Sequence, residues 1–570
     1  MPTRRSWRTK SIRLLTRAVQ CCQRLALNRD RSSRSARGAH PGLGNLVPVR
    51  RRFFAAGAFA AIAATSLLWA SATSTQPPAA PKATAQTKPA ATPSKPPEKI
   101  VDPPSPFGAV PSERQLHWQE MEVNAFLHFT VNTFTDREWG LGDEDPSVFS
   151  PTAFDPDQIA SALAVAGMQG VILTCKHHDG FCLWPTRTTE HSIAHSAWRD
   201  GHGDVVKDIS AAAHRHGLEF GVYLSPWDRN AASYGTPEYV EMYRAQLREL
   251  LTGYGPLFEV WYDGANGGDG YYGGARETRS IDRRTYYGWE QTWDLVRQLQ
   301  PGAVIFSDVG PDVRWVGNEK GFAAETSWET YDPVGEDGGA AAPGYVKADE
   351  NQTGQRGASH WLPAECDVSI RPGWFYHESE DGKVKSAAEL FDLYTHCVGR
   401  GANLLLNVPP DRRGRLHEED VKTLADFGGL LRLAFRTNLA LHANLIPSNV
   451  RGGSPKFDAH KLVDGDRYTY WSTDDKVTTP ELIVDFGKEQ SFNLLRLREN
   501  IKLGQRIEEF AFDKWTGTKW EEFSSGTSIG ACRLVRLSSP VSAKRIRLRI
   551  TKSPVCIALS ELGVYAGPGM

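Results

Sequence analysis

Between about residues 115 and 440, short apolar segments alternate with longer segments of helical spacing, and this alternation constrains the fold more than any other feature of the chain. Val123–Val131, Gly170–Cys175, Leu218–Ser225, Leu257–Tyr262, Ala303–Ser307 and Asn403–Val408 read as strands. Pro156–Gly167, Asp204–His216, Pro237–Tyr254, Arg284–Leu299, Ala387–Val398 and Glu418–Phe435 read as helices. Strands that are apolar along their whole length are buried on both faces, and with helices between them they predict a parallel sheet under helical cover. The number of repeats over about 325 residues favours a (β/α)8 barrel over an open sheet. No glycine fingerprint follows the first strand, so a nucleotide site has no support.

From about His442 the texture changes. Glu481–Phe486, Phe492–Arg498, Arg533–Leu537 and Arg545–Ile550 alternate with a period of two and are separated by turn residues. That pattern predicts an all-β sandwich of about 125 residues.

The amino end is different again. Arg50-Arg51-Arg52, the apolar stretch Phe53–Trp69 and the small residues Ala70-Ser71-Ala72 are the three parts of an export signal. Arg51-Arg52-Phe53-Phe54 also resembles the end of a twin-arginine signal. The expectation is initiation near Val47 or Val49 and a mature chain starting close to Thr73; a cytoplasmic tail on a single-span anchor is the alternative. The Pro, Ala, Thr and Lys of Thr73–Pro106 cannot bury enough apolar surface to fold, and read as a stiff linker. The domain boundaries expected are therefore 1–72 for the extension and export signal, 73–108 for the linker, 109–440 for the barrel and 441–568 for the sandwich. The six cysteines beyond the signal have no metal-type spacing.

The net charge of -1 hides an asymmetry, because residues 1–52 hold 14 of the 66 basic residues and one of the 67 acidic ones. The remainder is strongly acidic, which argues against nucleic-acid binding. No apolar run after residue 70 is long enough to span a bilayer, so no stable membrane partner is expected once the signal is removed.

Barrel enzymes gather their chemistry at the carboxyl ends of the strands. Here those ends carry His128, Lys176-His177-His178-Asp179, Tyr223 with Ser225-Pro226-Trp227-Asp228, and Trp261-Tyr262-Asp263-Gly264. A carboxylate walled by aromatics suits glycoside hydrolysis, which requires two carboxyl groups. Asp263 is one of several candidates, and a helix N-cap is its bland alternative. Adjacent His177 and His178 point to opposite faces of a strand unless a bend turns both inward, so a metal pair is the weaker reading and donors to sugar hydroxyls the better one.

Trp118–Asn132, Lys176–Phe181, Tyr223–Trp227, Trp261–Gly264 and Gly401–Val408 together resemble the α-L-fucosidases of glycoside hydrolase family 29, in the right order and over the whole stretch from about 110 to 440. The resemblance implies an irregular (β/α)8 barrel, a retaining mechanism with Asp263 as nucleophile, and no redox or organic cofactor. It also implies a fucose pocket of His128, His177, His178, Tyr223, Trp227 and Trp261, with the Glu138-Trp139 step as a further contact. The segment Gly310–Glu319 resembles the subgroup that prefers α-1,3/4-linked fucose, which implies Glu319 as the general acid/base. Glu325 and Glu329 stay open as alternatives. The partner implied is a fucosylated oligosaccharide or glycoprotein glycan; a carbohydrate-binding protein with an inactive barrel is the alternative function.

Asp458–Asp466, Thr469-Tyr470-Trp471 and Ser560-Glu561-Leu562 resemble a discoidin-type, galactose-binding-like module. The resemblance implies a structural calcium held by the Lys461 carbonyl, Asp464, Asp466, Thr469 and Glu561, oxygen donors that suit a hard cation. A metal-free turn stabilised by Asp464 and Asp466 is the alternative.

Overall fold

The computed structural model describes residues 101–567. The export signal and most of the linker, read on residues 1–100, lie outside the described residues. Eight parallel strands close into a barrel: β1 (Val123–Leu127), β2 (Gly170–Lys176), β3 (Glu219–Leu224), β4 (Glu259–Trp261), β5 (Val304–Ser307), β6 (Val313–Trp315), β7 (Ala364–Ser369) and β8 (Asn403–Asn407). Their order around the barrel is their order in the chain, with β8 beside β1. β2 shows why: all seven residues are buried, five of them in a run of Val, Ile, Leu, Thr and Cys that only a doubly covered strand accommodates.

Helices follow β1 to β4, β7 and β8. Pro156–Ala166 is set by local chemistry: Asp155 accepts from the Gln158 amide at 2.9 Å and Gly167 closes the helix at φ 91°. The helix expected over Arg284–Leu299 starts only at Trp289, because Asp282 holds 282–286 in turns. Helix Glu113–Met121 precedes β1 and plugs the amino-terminal mouth. Its Trp118 packs with the inward Phe126, Ile172 and Leu405, and donates to Glu259 at the foot of β4 at 2.8 Å.

Two strands are absent from the sequence reading, β6 and β7. Both carry ionisable residues, Arg314 in one and Glu365 and Asp367 in the other, which break the apolar pattern that marks the rest. No helix lies between β5 and β6, and no α-helix between β6 and β7. The chain from 316 to 363 covers this bare flank instead. The buried Arg314 guanidinium points outward and donates to the carbonyls of Asn351 (2.9 Å), Trp328 (3.0 Å) and Leu362.

The carboxyl-terminal domain is a seven-stranded antiparallel sheet. Two long strands, Glu481–Glu499 and Arg533–Lys552, pair over most of their lengths. Each was expected as two short strands; irregularities at 485–490 and 492–494 break the alternation without breaking the pairing. Trp471, Leu482, Val484, Leu497, Ile546 and Leu548 form part of its own core.

This domain seals the flank that lacks helices. Gln505 accepts the Glu329 amide at 2.9 Å and donates to the Ser327 carbonyl at 3.0 Å, and Ser528 accepts the Ser327 amide at 3.0 Å. Nearby, the carboxylate of Glu122 receives Arg498 at 2.6 Å, Arg467, and the Tyr394 phenol at 3.2 Å. Residues 101–108, the end of the expected linker, run along the same domain, with the Phe107 amide on the Leu503 carbonyl at 3.0 Å.

Candidate active site

The carboxyl ends of the barrel strands converge on a cavity of about 340 Å³. β1 hands it His128, and β2 hands it His177 and His178, which follow the strand's last residue, Lys176. The turn at Asp179-Gly180 brings both rings to the same side, 4.1 Å apart. Asp179 sets that turn by accepting from Thr130 (3.2 Å), Asn132 (3.1 Å) and the Phe181 amide (2.7 Å).

Asp263 stands two residues beyond β4. Tyr223 donates its phenol to Oδ2 at 3.0 Å and the Ala265 amide donates to Oδ1 at 2.7 Å. No helix begins here, so the N-cap alternative does not apply. Gly264 is required beside it, since a Cβ there would sit 2.9 Å from the Asp308 carboxylate. Trp261 forms the floor, stacked on Phe306 at 4.2 Å and held by Glu365 at 2.9 Å.

The hydrogen-bond network assigns two histidine tautomers. Ser225 gives its only hydroxyl proton to the Trp227 carbonyl at 2.7 Å, so it accepts from His178 Nδ1 at 2.8 Å. His178 Nε2 is left as an acceptor, 3.8 Å from Asp263. His128 Nδ1 likewise donates to Asn407 Oδ1 at 2.8 Å, leaving its Nε2 as an acceptor. Burial keeps the rings neutral: it lowers His177 well below the usual range, lowers His178, and takes His128 to about 3. Neutral imidazoles with a free nitrogen suit hydroxyl groups. Among the described residues, no three His, Cys, Asp or Glu side chains converge as metal ligands.

Glu138 accepts from the Trp374 and Phe375 amides at 2.8 and 3.1 Å and pairs with His377 at 2.7 Å, which fixes the opposite wall. Trp139 remains 51% exposed at the mouth, edge-on to His178 at 5.0 Å and Trp227 at 5.7 Å. Trp227 itself is buried behind it, bonded to Tyr272 at 3.0 Å.

Glu319 lines the same cavity as Asp263. Its two rivals do not. Glu325 pairs with Arg400 at 3.0 Å and with Arg533, and Glu329 is buried beside Ala531 of the carboxyl-terminal domain. The chain matches the α-L-fucosidase family model over residues 107–434 and the F5/8 type C domain model over residues 447–562.

The chain belongs to the α-L-fucosidase family.

Its catalytic domain is thus that of a glycoside hydrolase, an α-L-fucosidase. It is 42% identical over 466 residues to alpha-L-fucosidase 1 of Arabidopsis thaliana, covering 81% of this chain and 88% of that one. Among solved structures, it is 40% identical to a glycoside hydrolase 29 family member from an unknown rumen bacterium, with a TM-score of 0.72 over 82% of this chain and 78% of that one. A Ruminococcus gnavus fucosidase of the same family, solved in complex with fucose, is 31% identical with a TM-score of 0.73, covering 82% and 97%.

The polar and indole side chains of the pocket that the sequence reading of this fucosidase missed are Asp308, Trp315, Asp367 and Trp374; it also missed Phe126, Ala265 and Phe306. Trp315 and Asp367 belong to the two unread strands, and Asp308 sits at a strand end that carried no recognised motif. Burial raises both aspartates to about 7.

In the F5/8 type C domain the expected calcium donors fall on the turn Lys461–Thr469 and on the strand Ala558–Tyr565, which carries Glu561. Thr469 donates to Asp464 at 2.7 Å, the Asp466 amide donates to Asp464 at 3.0 Å, and Lys461 Nζ stands 3.5 Å from it. Glu561 lies on the strand Ala558–Tyr565. Its carboxylate is taken by Arg496 at 2.5 Å and by Arg498, two cations that neutralise what a metal would need. Asp464, Asp466 and Thr469 are oxygen donors of the kind a hard cation takes, and the Lys461 ammonium competes for Asp464.

Proposed function

We propose that this α-L-fucosidase is an exo-acting, retaining enzyme that releases terminal α-1,3/4-linked L-fucose from glycans. The observation that carries the mechanism is the placement of Asp263 and Glu319 on one closed-ended cavity, with Asp263 clamped and Glu319 on the loop that follows β6. A terminal sugar enters from the mouth, and the Trp261 floor stops a longer chain from passing through. Fucose hydroxyls give their protons to His128 Nε2 and His178 Nε2. Asp263 attacks the anomeric carbon while Glu319 protonates the departing oxygen. Glu319, now a carboxylate, takes a proton from water, whose oxygen displaces Asp263 and restores both groups.

The linkage preference is supported by the rim. Gly344, on the loop 333–357, lines the cavity, and the hairpin Gly268–Gly270/Glu277–Arg279 packs beside Trp227. These two insertions supply contacts for a neighbouring galactose. Export to the periplasm or beyond and a calcium ion in the turn Lys461–Thr469 belong to the same reading. The test is fucose release from defined fucosides followed by proton NMR. Initial release of α-fucose, with Lewis-type trisaccharides cut faster than α-1,2 fucosides, is expected; initial β-fucose would refute retention, and the reverse substrate order would refute the linkage.

A further inference from the structure

A second cavity, of about 610 Å³, lies at the junction of the barrel and the F5/8 type C domain and shares no lining residue with the active site. The barrel contributes Glu325, Arg400 and the end of the helix Ala387–His396, and the F5/8 type C domain contributes the first part of the strand Arg533–Lys552. Its charge is unlike that of the body around it. Beyond residue 52 the chain is strongly acidic, yet Arg400, Arg533 and Arg536 line this cavity against one carboxylate, Glu325.

Arg400, from one domain, meets the Glu325 carboxylate at 3.0 Å, and Arg533, from the other, meets it as well. Arg400 also donates to the Ala323 carbonyl at 2.6 Å, and Arg533 to the Glu325 carbonyl. Two guanidinium groups thus share one carboxylate, and one positive charge of the pair has no counter-charge. The Arg533 side chain is only 4% exposed, and its Nε makes no hydrogen bond. Arg536 stands 3.3 Å from Asp392, which His396 also engages at 3.2 Å. The carboxylate that holds the two arginines is itself 65% exposed.

We propose that this cavity binds an acidic glycan through its oxyanion, a sulfate ester or a sugar carboxylate, which takes the place of the Glu325 carboxylate on Arg400 and Arg533, with Arg536 as a third cation. The site is separate from the fucosidase reaction, and the proposal does not depend on which residues carry that reaction.

The physical case has four parts. Guanidinium forks match the paired oxygens of carboxylate and sulfate, and a cleft lined by one sign of charge concentrates the opposite sign. The cavity has the size of a small-molecule site, well beyond what a bare ion fills. Ser524, Ser525, Ser538 and Ser539 line it, and their hydroxyls can both donate to and accept from those of a sugar ring. No Phe, Tyr or Trp among the described residues lines it, so a neutral sugar finds no ring face to stack on and charge must supply the hold. Displacing Glu325 costs little, because an exposed ion pair is weak and the released carboxylate returns to water.

The test is isothermal titration calorimetry of the full protein at constant ionic strength with glucose 6-sulfate, glucuronate, glucose and inorganic sulfate. One or both acidic sugars should bind, and which of them does identifies the oxyanion; glucose should not bind, and inorganic sulfate should bind more weakly than the sugar. Arg400→Gln and Arg536→Gln should each weaken binding about tenfold. Glu325→Gln should strengthen it by a similar factor, because the internal competitor is gone, and this variant decides if an arginine variant does not fold. Arg536→Gln should leave hydrolysis of an aryl fucoside unchanged, which separates this site from the active site. Absence of binding by either acidic sugar, affinity untouched by the arginine variants, or weaker binding in Glu325→Gln would overturn the proposal. Inorganic sulfate binding as tightly as the sugars would show an ion site only and overturn the glycan assignment.

Discussion

Tyr223, the penultimate residue of β3, donates to Asp263 Oδ2 at 3.0 Å, across the gap to the end of the next strand. Together with the Ala265 amide it engages both carboxylate oxygens, so the proposed nucleophile is held in place before substrate arrives. Asp263→Ala should lower kcat by several powers of ten, because covalent catalysis has no substitute. Azide should partly restore turnover and yield β-fucosyl azide, identified by NMR. Near-normal activity in this variant would end the proposed mechanism.

The three glutamates separate by where they sit. Glu319→Ala should keep reacting with activated aryl fucosides, stall at deglycosylation, and give α-fucosyl azide on rescue. Glu329→Gln should leave kcat near its original value and instead lower the melting temperature, since it disturbs a carboxyl group buried beside Arg314 and Ala531. Kinetics and calorimetry on both variants distinguish the two roles.

Trp139→Ala tests the exposed indole at the mouth. Losing one aromatic wall should cost about 1 kcal/mol of binding, read as a rise of roughly fivefold in KM with a smaller change in kcat. A fall in kcat alone would place the indole in the chemistry rather than in binding.

Much of this site was legible from sequence, for a physical reason. His128, His177, His178 and Asp263 follow apolar strands, and a burst of polar residues after such a strand marks a barrel's functional rim. The paired histidines were read as donors to sugar hydroxyls, but the hydrogen-bond network leaves Nε2 of His178, and of His128, as an acceptor. β6 and β7 were illegible because the barrel spends them on charge: Arg314 points out to loop carbonyls, and Glu365 and Asp367 point in. Where ionisable groups replace apolar ones, periodicity loses its signal, and Trp315 and Asp367 were missed with it. The arginine partners of Glu561 were equally hidden, since Arg496 and Arg498 meet it only across a strand pair.

Glu122 gives a pH dependence of stability. Burial works against its ionisation, but Arg498, Arg467 and Arg496 outweigh it and lower its pKa from 4.5 to about 2. A depressed folded-state value means stability that is complete above about pH 5 and is lost as pH falls toward 2, amounting to about 3 kcal/mol. Urea midpoints should fall over that window, and Glu122→Gln should flatten the dependence. An equal slope in the variant would assign the acid sensitivity to other carboxylates.

Calcium should raise the melting temperature of the full protein, and Asp464→Ala should abolish the rise. Glu561→Gln should lower the melting temperature without removing the calcium effect, because its partners are arginines. Loss of the calcium effect in that variant would return Glu561 to the metal site.

The bare flank between β5 and β7 changes what the F5/8 type C domain is to this molecule. Ordinary accessory modules can be exchanged like beads on a string. Here a chain ending at residue 440 would strip the loop 316–363 of its backing, and that loop carries Glu319 only a few residues after β6. Shuffling the module for another would therefore alter turnover, and selection on either domain acts on both.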